Sequence, residues 1–176
     1  YYRSNGSCKS ILFRLGFEEE AWQRYGAPRD TWLSYEVTDD GKLKIDLQWF
    51  HKAPCRMPEA FWFGFTPVQS GNLAWKIEKL GRWISPSSVV ENGNRHLHAA
   101  GIGVKAEKSG HTLVIEPMDS PLVAPGAPSL LDFNNAQPDL SKGVQFCLLN
   151  NLWGTNFPMW FEEDCRFRFT VPLIRN

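Results

Sequence analysis

Residues 42–49 alternate without a break. Leu43, Ile45, Leu47 and Trp49 are apolar, and Lys42, Lys44, Asp46 and Gln48 between them are polar. A period of two places every second side chain on one face of an extended strand, so this segment is built to lie half in a core and half in water. The same pattern closes the chain. Cys165, Phe167, Phe169 and Val171 point one way, and Arg166, Arg168 and Thr170 the other. Asp40-Gly41 precedes the first of these strands as a hairpin turn signal, with Tyr35 and Val37 on the incoming strand. A chain with such segments at both ends has to form sheets.

The rest of the chain is consistent with that. Residues 60–65, Ala-Phe-Trp-Phe-Gly-Phe, are apolar on both sides and read as a central strand covered on both faces. Leu73, Trp75 and Ile77 alternate with Ala74, Lys76 and Glu78. Residues 111–116 make a short strand ended by Pro117, and Val144, Phe146 and Leu148 share the face of another. The best helix lies at 17–25, with Glu18 to Glu20 at its positive end and Gly26 and Pro28 stopping it. Short strands separated by scattered Pro and Gly predict an all-β fold, a mostly antiparallel β-sandwich with few short helices. The stretch 117–143, with Pro121, Pro125, Pro128 and Pro138, reads as one long loop. No linker divides the chain, so residues 1–176 are expected to form a single module. It begins Tyr1-Tyr2-Arg3 in polar sequence, as a fragment of a longer chain would.

Charge removes two classes of partner. The formal net charge is zero and basic residues are interspersed with acids, so neither a nucleic acid nor a membrane is an expected partner. No run approaches the ~20 apolar residues that a spanning helix needs. Cys8, Cys55, Cys147 and Cys165 form no CxxC pair, which excludes a zinc ribbon. Cys147 and Cys165 read as small buried thiols within strands, and a disulfide stays open. The compartment is not readable.

Chemistry-bearing residues are few. Trp49, Trp62 and Trp75 fall where strand cores expect them. Trp153 and Trp160 lie instead in a polar, turn-rich segment with Asn150, Asn151, Thr155 and Asn156. Indoles beside amides suit a sugar, whose C–H face stacks on an aromatic ring. His96 and His98 form an HxH pair that a strand would set on one face, for a substrate or a metal. No third ligand follows at a recognisable spacing, so no metal site is assigned. Spacing pairs no two carboxylates for glycoside hydrolysis, and there is no serine-nucleophile elbow, so no catalytic residue is assigned either.

The segment NNLWGTNF at 150–157 resembles the Asn-Asn-x-Trp-x-Thr-Asn-aromatic stretch in the C-terminal β domains of family-38 glycoside hydrolases, the α-mannosidases. The string QFCLLNNLWGTNFPMWFEEDCRFRFTV at 145–171 resembles more closely domain-of-unknown-function family 5054, which joins a family-38-like N-terminal region to a β-rich C-terminal region. RMPEAFWFGFTP at 56–67, KLGRWISPSSVVENGNRHLHAAGIGV at 79–104 and MDSPLVAPGAPSLLDF at 118–133 resemble the same family. The resemblance implies that zinc and the nucleophilic Asp belong to an N-terminal catalytic region outside this chain, which itself needs no cofactor. This chain would be a non-catalytic module supporting that region as its partner. Asn151, Trp153, Thr155 and Asn156 would border a carbohydrate pocket. Two other readings stand beside it. One is an independent carbohydrate-binding module using Trp153, Trp160 and nearby amides. The other is a mutarotase-like sugar epimerase using His96, His98 and Glu59.

Overall fold

A computed structural model describes residues 1–4, 9–68, 73–130, 133–152 and 160–173. Among them the strands are β1 (Tyr2–Ser4), β2 (Lys9–Leu15), β3 (Asp30–Val37), β4 (Lys42–Phe50), β5 (Glu59–Phe65), β6 (Ala74–Lys79), β7 (Arg82–Ile84), β8 (His98–Ala99), β9 (Val104–Lys108), β10 (His111–Pro117), β11 (Leu122–Pro125), β12 (Val144–Asn151) and β13 (Cys165–Pro172). Helix is confined, among the described residues, to α1 (Glu19–Tyr25) and a 3-10 turn, η1 (Leu140–Lys142). The chain is therefore an all-β, mostly antiparallel β-sandwich, as the alternating segments predict. No described helix is long and apolar enough to cross a membrane. The chain divides into two compact units, Tyr1–Ala60 with Leu149–Asn176, and Phe61–Leu148.

The first unit is an antiparallel sheet in the order β1-β2-β3-β4-β13. Register sets Leu33 beside Leu47 and Leu47 beside Phe167, and Tyr35 beside Ile45 and Ile45 beside Phe169, so apolar residues line up in rows across three strands. Trp49 is 2% exposed, its ring centroid is 5.0 Å from that of Phe167, and its Nε1 donates to the Glu163 carbonyl at 3.1 Å. The predicted hairpin forms between Val37 and Lys42, with Gly41 at φ 74°. α1 buries none of its residues and ends at Gly26, φ 70°. A β-carbon there would lie 2.7 Å from Cys55 Cβ, so glycine serves both the left-handed backbone and the close approach.

The second unit holds the antiparallel sheet β10-β9-β6-β7 and strands of a second sheet, β5-β12-β11-β8. Its core is Trp75, Ile77, Val104, Ala106, Ile115, Val123, Val144 and Phe146. A buried carboxylate organises one end of it. Glu78 accepts the Ile102 N–H at 2.7 Å on one oxygen and the Gly81 N–H on the other, closing two turns at once.

Two expectations are corrected. β5 is not a covered central strand. It ends its sheet, and from Ala60 to Phe65 its residues are half-buried or exposed, because apolar side chains on both sides do not say how many neighbours a strand will have. Residues 117–143 are not one loop either. β11 lies within them, paired to β12 through Val123↔Phe146 and to β8 through Val123↔His98. Cys55 and Cys147 are buried and Cys165 is half-buried, and none of the three is in a disulfide among the described residues.

Candidate functional site

The residues expected to bind sugar fall in both units. Trp153, Thr155 and Asn156 lie outside the described residues. Trp160 is 49% exposed, and the Arg56 guanidinium sits 5.9 Å from its ring centroid. Asn151 ends β12, and its Nδ2 lies 3.4 Å from Glu59 Oε1, at the long limit of a hydrogen bond. That oxygen has a stronger partner. Lys52 Nζ, fully out of solvent, donates to Glu59 Oε1 at 2.9 Å, to the Phe161 carbonyl at 3.0 Å and to the Ala53 carbonyl at 3.2 Å. An ammonium has three N–H donors, and all three are used. Glu59 is thus engaged as the counter-charge of a buried lysine.

The opposite face of the first unit's sheet is polar. Arg14, Trp32, Gln48 and Arg166 lie in one cross-strand row, and Ser34, Asp46 and Arg168 in the next. Its acid is already committed. Arg166 pairs with Asp46 through two nitrogens, and Gln48 Nε2 donates to the same carboxylate at 3.1 Å. Groups that satisfy one another offer a ligand little.

The histidine pair does not behave as an i, i+2 strand pair. β8 begins only at His98, and the Asn94 side chain folds the preceding backbone by accepting the N–H groups of His96 at 2.9 Å and Leu97 at 3.1 Å. His96 Nε2 is 3.1 Å from Asn134 Oδ1, and His98 Nε2 is 3.1 Å from the Arg95 carbonyl. The two rings therefore serve different partners, which corrects the shared-face expectation. Among the described residues no three His, Cys, Asp or Glu side chains converge as a metal would require.

His98 nevertheless stands at a concave site within the second unit. A pocket of about 290 Å³ is lined by Ile77 and Lys79 of β6, Ile84 of β7, Ser85, Ser88, Val89 and Asn94 of the following loop, and His98. β6 and β7 are held by the tight turn at Leu80-Gly81, and the loop from Ser85 to Asn94 returns over them to His98. Burial lowers the His98 pKa below its ordinary 6.5, and the Lys79 and His96 charges add to the effect, while the bond to the Arg95 carbonyl opposes it. The ring is neutral at pH 7. A carbonyl can only accept, so Nε2 carries the proton and Nδ1 is left as the acceptor. Beside this pocket in the chain is Arg95, 8% exposed, whose Nε has no hydrogen-bond partner among the described residues. Sequence reasoning singled out His98 but missed Lys79, Ser85, Ser88, Asn94 and Arg95. For Asn94 and Arg95 the signal was the polar run Asn92-Gly93-Asn94-Arg95-His96, and Lys79, Ser85 and Ser88 had none.

No protein-family model matches the chain, and no curated protein matches it. Among solved structures, the galactose 1-epimerase from Lactobacillus acidophilus NCFM is similar, with a TM-score of 0.57 and 9% identity over 97% of this chain and 64% of that one. A galactose mutarotase-like protein from Clostridium acetobutylicum aligns over the same shares, with a TM-score of 0.43 and 13% identity. The first likeness establishes a β-sandwich fold of the epimerase's kind. The chain spans 64% of the epimerase's length.

Proposed function

We propose that this chain is a carbohydrate-binding β-sandwich whose second unit holds one sugar unit in the pocket beside His98. One observation carries the reading, the make-up of that pocket. Ile77, Ile84 and Val89 offer an apolar surface for a sugar's C–H face, and Ser85, Ser88, Asn94 and neutral His98 offer hydrogen bonds to its hydroxyls. The fold shared with a galactose 1-epimerase supports a sugar as the ligand class. Binding is favoured over glycoside hydrolysis, which uses two carboxylates, because the described residues that line the pocket include neither Asp nor Glu.

Calorimetry against a panel of monosaccharides, with polarimetry of freshly dissolved galactose, tests this. Saturable binding weakened by His98→Ala is expected, with no acceleration of mutarotation. Absence of binding across the panel, or mutarotation that His98→Ala abolishes, overturns it.

A second reading follows the family-38 resemblance, in which the chain is a supporting module of an α-mannosidase-like protein. It is favoured by Ile11, Phe13 and Leu15, which share one face of β2 and are each exposed by more than a third, with Phe17 beyond them. An apolar strip of this kind suits a partner region. Phe13→Glu would then abolish association with a family-38-like catalytic region while leaving sugar affinity intact.

A further inference from the structure

Among the described residues that line the His98 pocket, none is aromatic. A flat ring on which a sugar's C–H face could stack is therefore missing from its wall. The apolar side is aliphatic instead, made by Ile77, Ile84, Val89 and Val90 with Pro86. Val90 is 79% exposed while lining the pocket, so this aliphatic surface continues to the mouth. Branched aliphatic side chains suit a methyl group, which needs contact on several sides and no hydrogen bond.

That wall is held in place by the chain. The Ser88 N–H donates to the Ser85 carbonyl at 2.9 Å, and the Gly93 N–H to the Val90 carbonyl at 3.0 Å, which closes two turns in the loop. A β-carbon on Gly93 would lie 2.7 Å from Val89 Cγ1, so glycine lets the second turn close against that valine. Asn92 and Asn135 exchange two hydrogen bonds of 2.9 Å and anchor the loop to another segment of the same unit.

Two polar side chains of the lining are oriented by their own neighbours, and each has a group left over. Asn94 Oδ1 accepts the N–H groups of His96 at 2.9 Å and Leu97 at 3.1 Å, so its Nδ2 is set on the other side and has no acceptor among the described residues. His98 Nε2 donates to the Arg95 carbonyl at 3.1 Å, so Nδ1 is an acceptor with no donor among the described residues. His98 is 5% exposed and lines the pocket, and its Nδ1 is not among the polar atoms sealed from water.

We infer that the sugar taken by this pocket carries an acetamido group, whose carbonyl accepts from Asn94 Nδ2, whose N–H donates to His98 Nδ1 and whose methyl lies against Val89 and Ile84. The inference rests on the sugar-binding reading above and narrows it to N-acetylated amino sugars. One donor, one acceptor and an aliphatic wall match that substituent as a set. A hydroxyl has no methyl for the wall, and a carboxylate or phosphate has no N–H for His98. Lys79 and Ser88 remain for the ring hydroxyls.

Calorimetry on the whole chain tests it, with galactose against N-acetylgalactosamine, glucose against N-acetylglucosamine, and D-fucose and N-methylacetamide as controls. One of the N-acetyl sugars is expected to bind roughly tenfold or more tightly than its parent. Asn94→Asp keeps the oxygen that accepts both backbone N–H groups and removes the Nδ2 donor, so it should bring that ratio close to one. Val89→Thr, of similar size, should lower the ratio by a smaller factor, and it serves if the first variant does not fold. A ratio unchanged in both variants overturns the inference. So does equal affinity for each N-acetyl sugar and its parent, which leaves sugar binding standing. D-fucose gaining as much over galactose as N-acetylgalactosamine does also overturns it, since a methyl alone would then suffice. N-methylacetamide binding as tightly as the N-acetyl sugars overturns it too, since the site would recognise an amide without a sugar. Failure of every sugar to bind overturns both readings.

Discussion

Among the described residues one lysine and one arginine are withdrawn from water, Lys52 in the first unit and Arg95 in the second, and their partners differ. Lys52 is surrounded by its own chain's acceptors: a carboxylate at 2.9 Å and two carbonyls at 3.0 and 3.2 Å. Those partners come from residues 53, 59 and 161, so one ammonium ties residues 52–59 to a carbonyl 109 positions along the chain. Arg95 has a comparable burial and an Nε with no acceptor among the described residues. The contrast separates a cation whose three donors all have acceptors from one with a buried N–H left over, although burial alone ranks the two alike.

The largest effect should come from breaking the satisfied cation. Lys52→Met leaves Glu59 buried without its counter-charge and should cost about 3–5 kcal/mol in urea unfolding. Adding Glu59→Leu to that variant should restore most of the loss, since the orphaned charge and not the missing bond carries the penalty. A single-variant cost under about 1 kcal/mol would erase the distinction, because surface ion pairs are worth that little.

The unsatisfied cation should respond in the other direction. Arg95→Met removes a buried Nε donor that has no acceptor among the described residues, and unfolding should show stability unchanged or raised by about 1 kcal/mol. A loss above about 2 kcal/mol would mean that the guanidinium is structural after all, on the scale of a broken buried network.

A smaller effect sharpens the account of the pocket's electrostatics. Burial, then the Lys79 charge, holds the folded pKa of His98 below its unfolded value. A histidine with a lowered pKa contributes stability that is complete above the unfolded pKa, about 6.5, and that is lost as the pH falls through the folded pKa. The melting midpoint should therefore fall more between pH 8 and pH 5 in the natural chain than in His98→Gln. Parallel pH profiles would place His98 in an environment like water.

The smallest effect is expected at Trp160. Its ring is half exposed and its recorded contact is the Arg56 guanidinium at 5.9 Å, so Trp160→Ala should change stability by no more than about 0.5–1 kcal/mol. A melting curve shifted as far as that of a core variant would make Trp160 a packed side chain and not a surface one.

Much of the scaffold was determined by the sequence itself. β4 carries its alternation over residues 42–49 and β13 over residues 165–171, and α1 ends at Gly26, the glycine expected to stop it. Period is a local property, and it survives into any fold that has a core. β2 was not singled out in the sequence although Ile11, Phe13 and Leu15 alternate there, and in the fold the face they share is poorly covered. What a strand pairs with was decided elsewhere. β11 is four residues long in a proline-rich stretch, too short to show a period, and it exists because β8 and β12 flank it. β5 has the composition of a central strand and sits at the edge. The candidate site depended on tertiary structure more strongly still. Lys79, Ser85, Asn94 and His98 are spread over twenty residues whose spacing matches no motif, and a turn made by one Asn94 oxygen sent His96 and His98 to different partners. Whether Arg95 has an acceptor depends on every segment that folds around it. A sequence determines which side chains face the same way along one strand, because that follows from backbone geometry. Which polar groups remain unpaired is a sum over the whole packed chain, and only the tertiary structure carries it out.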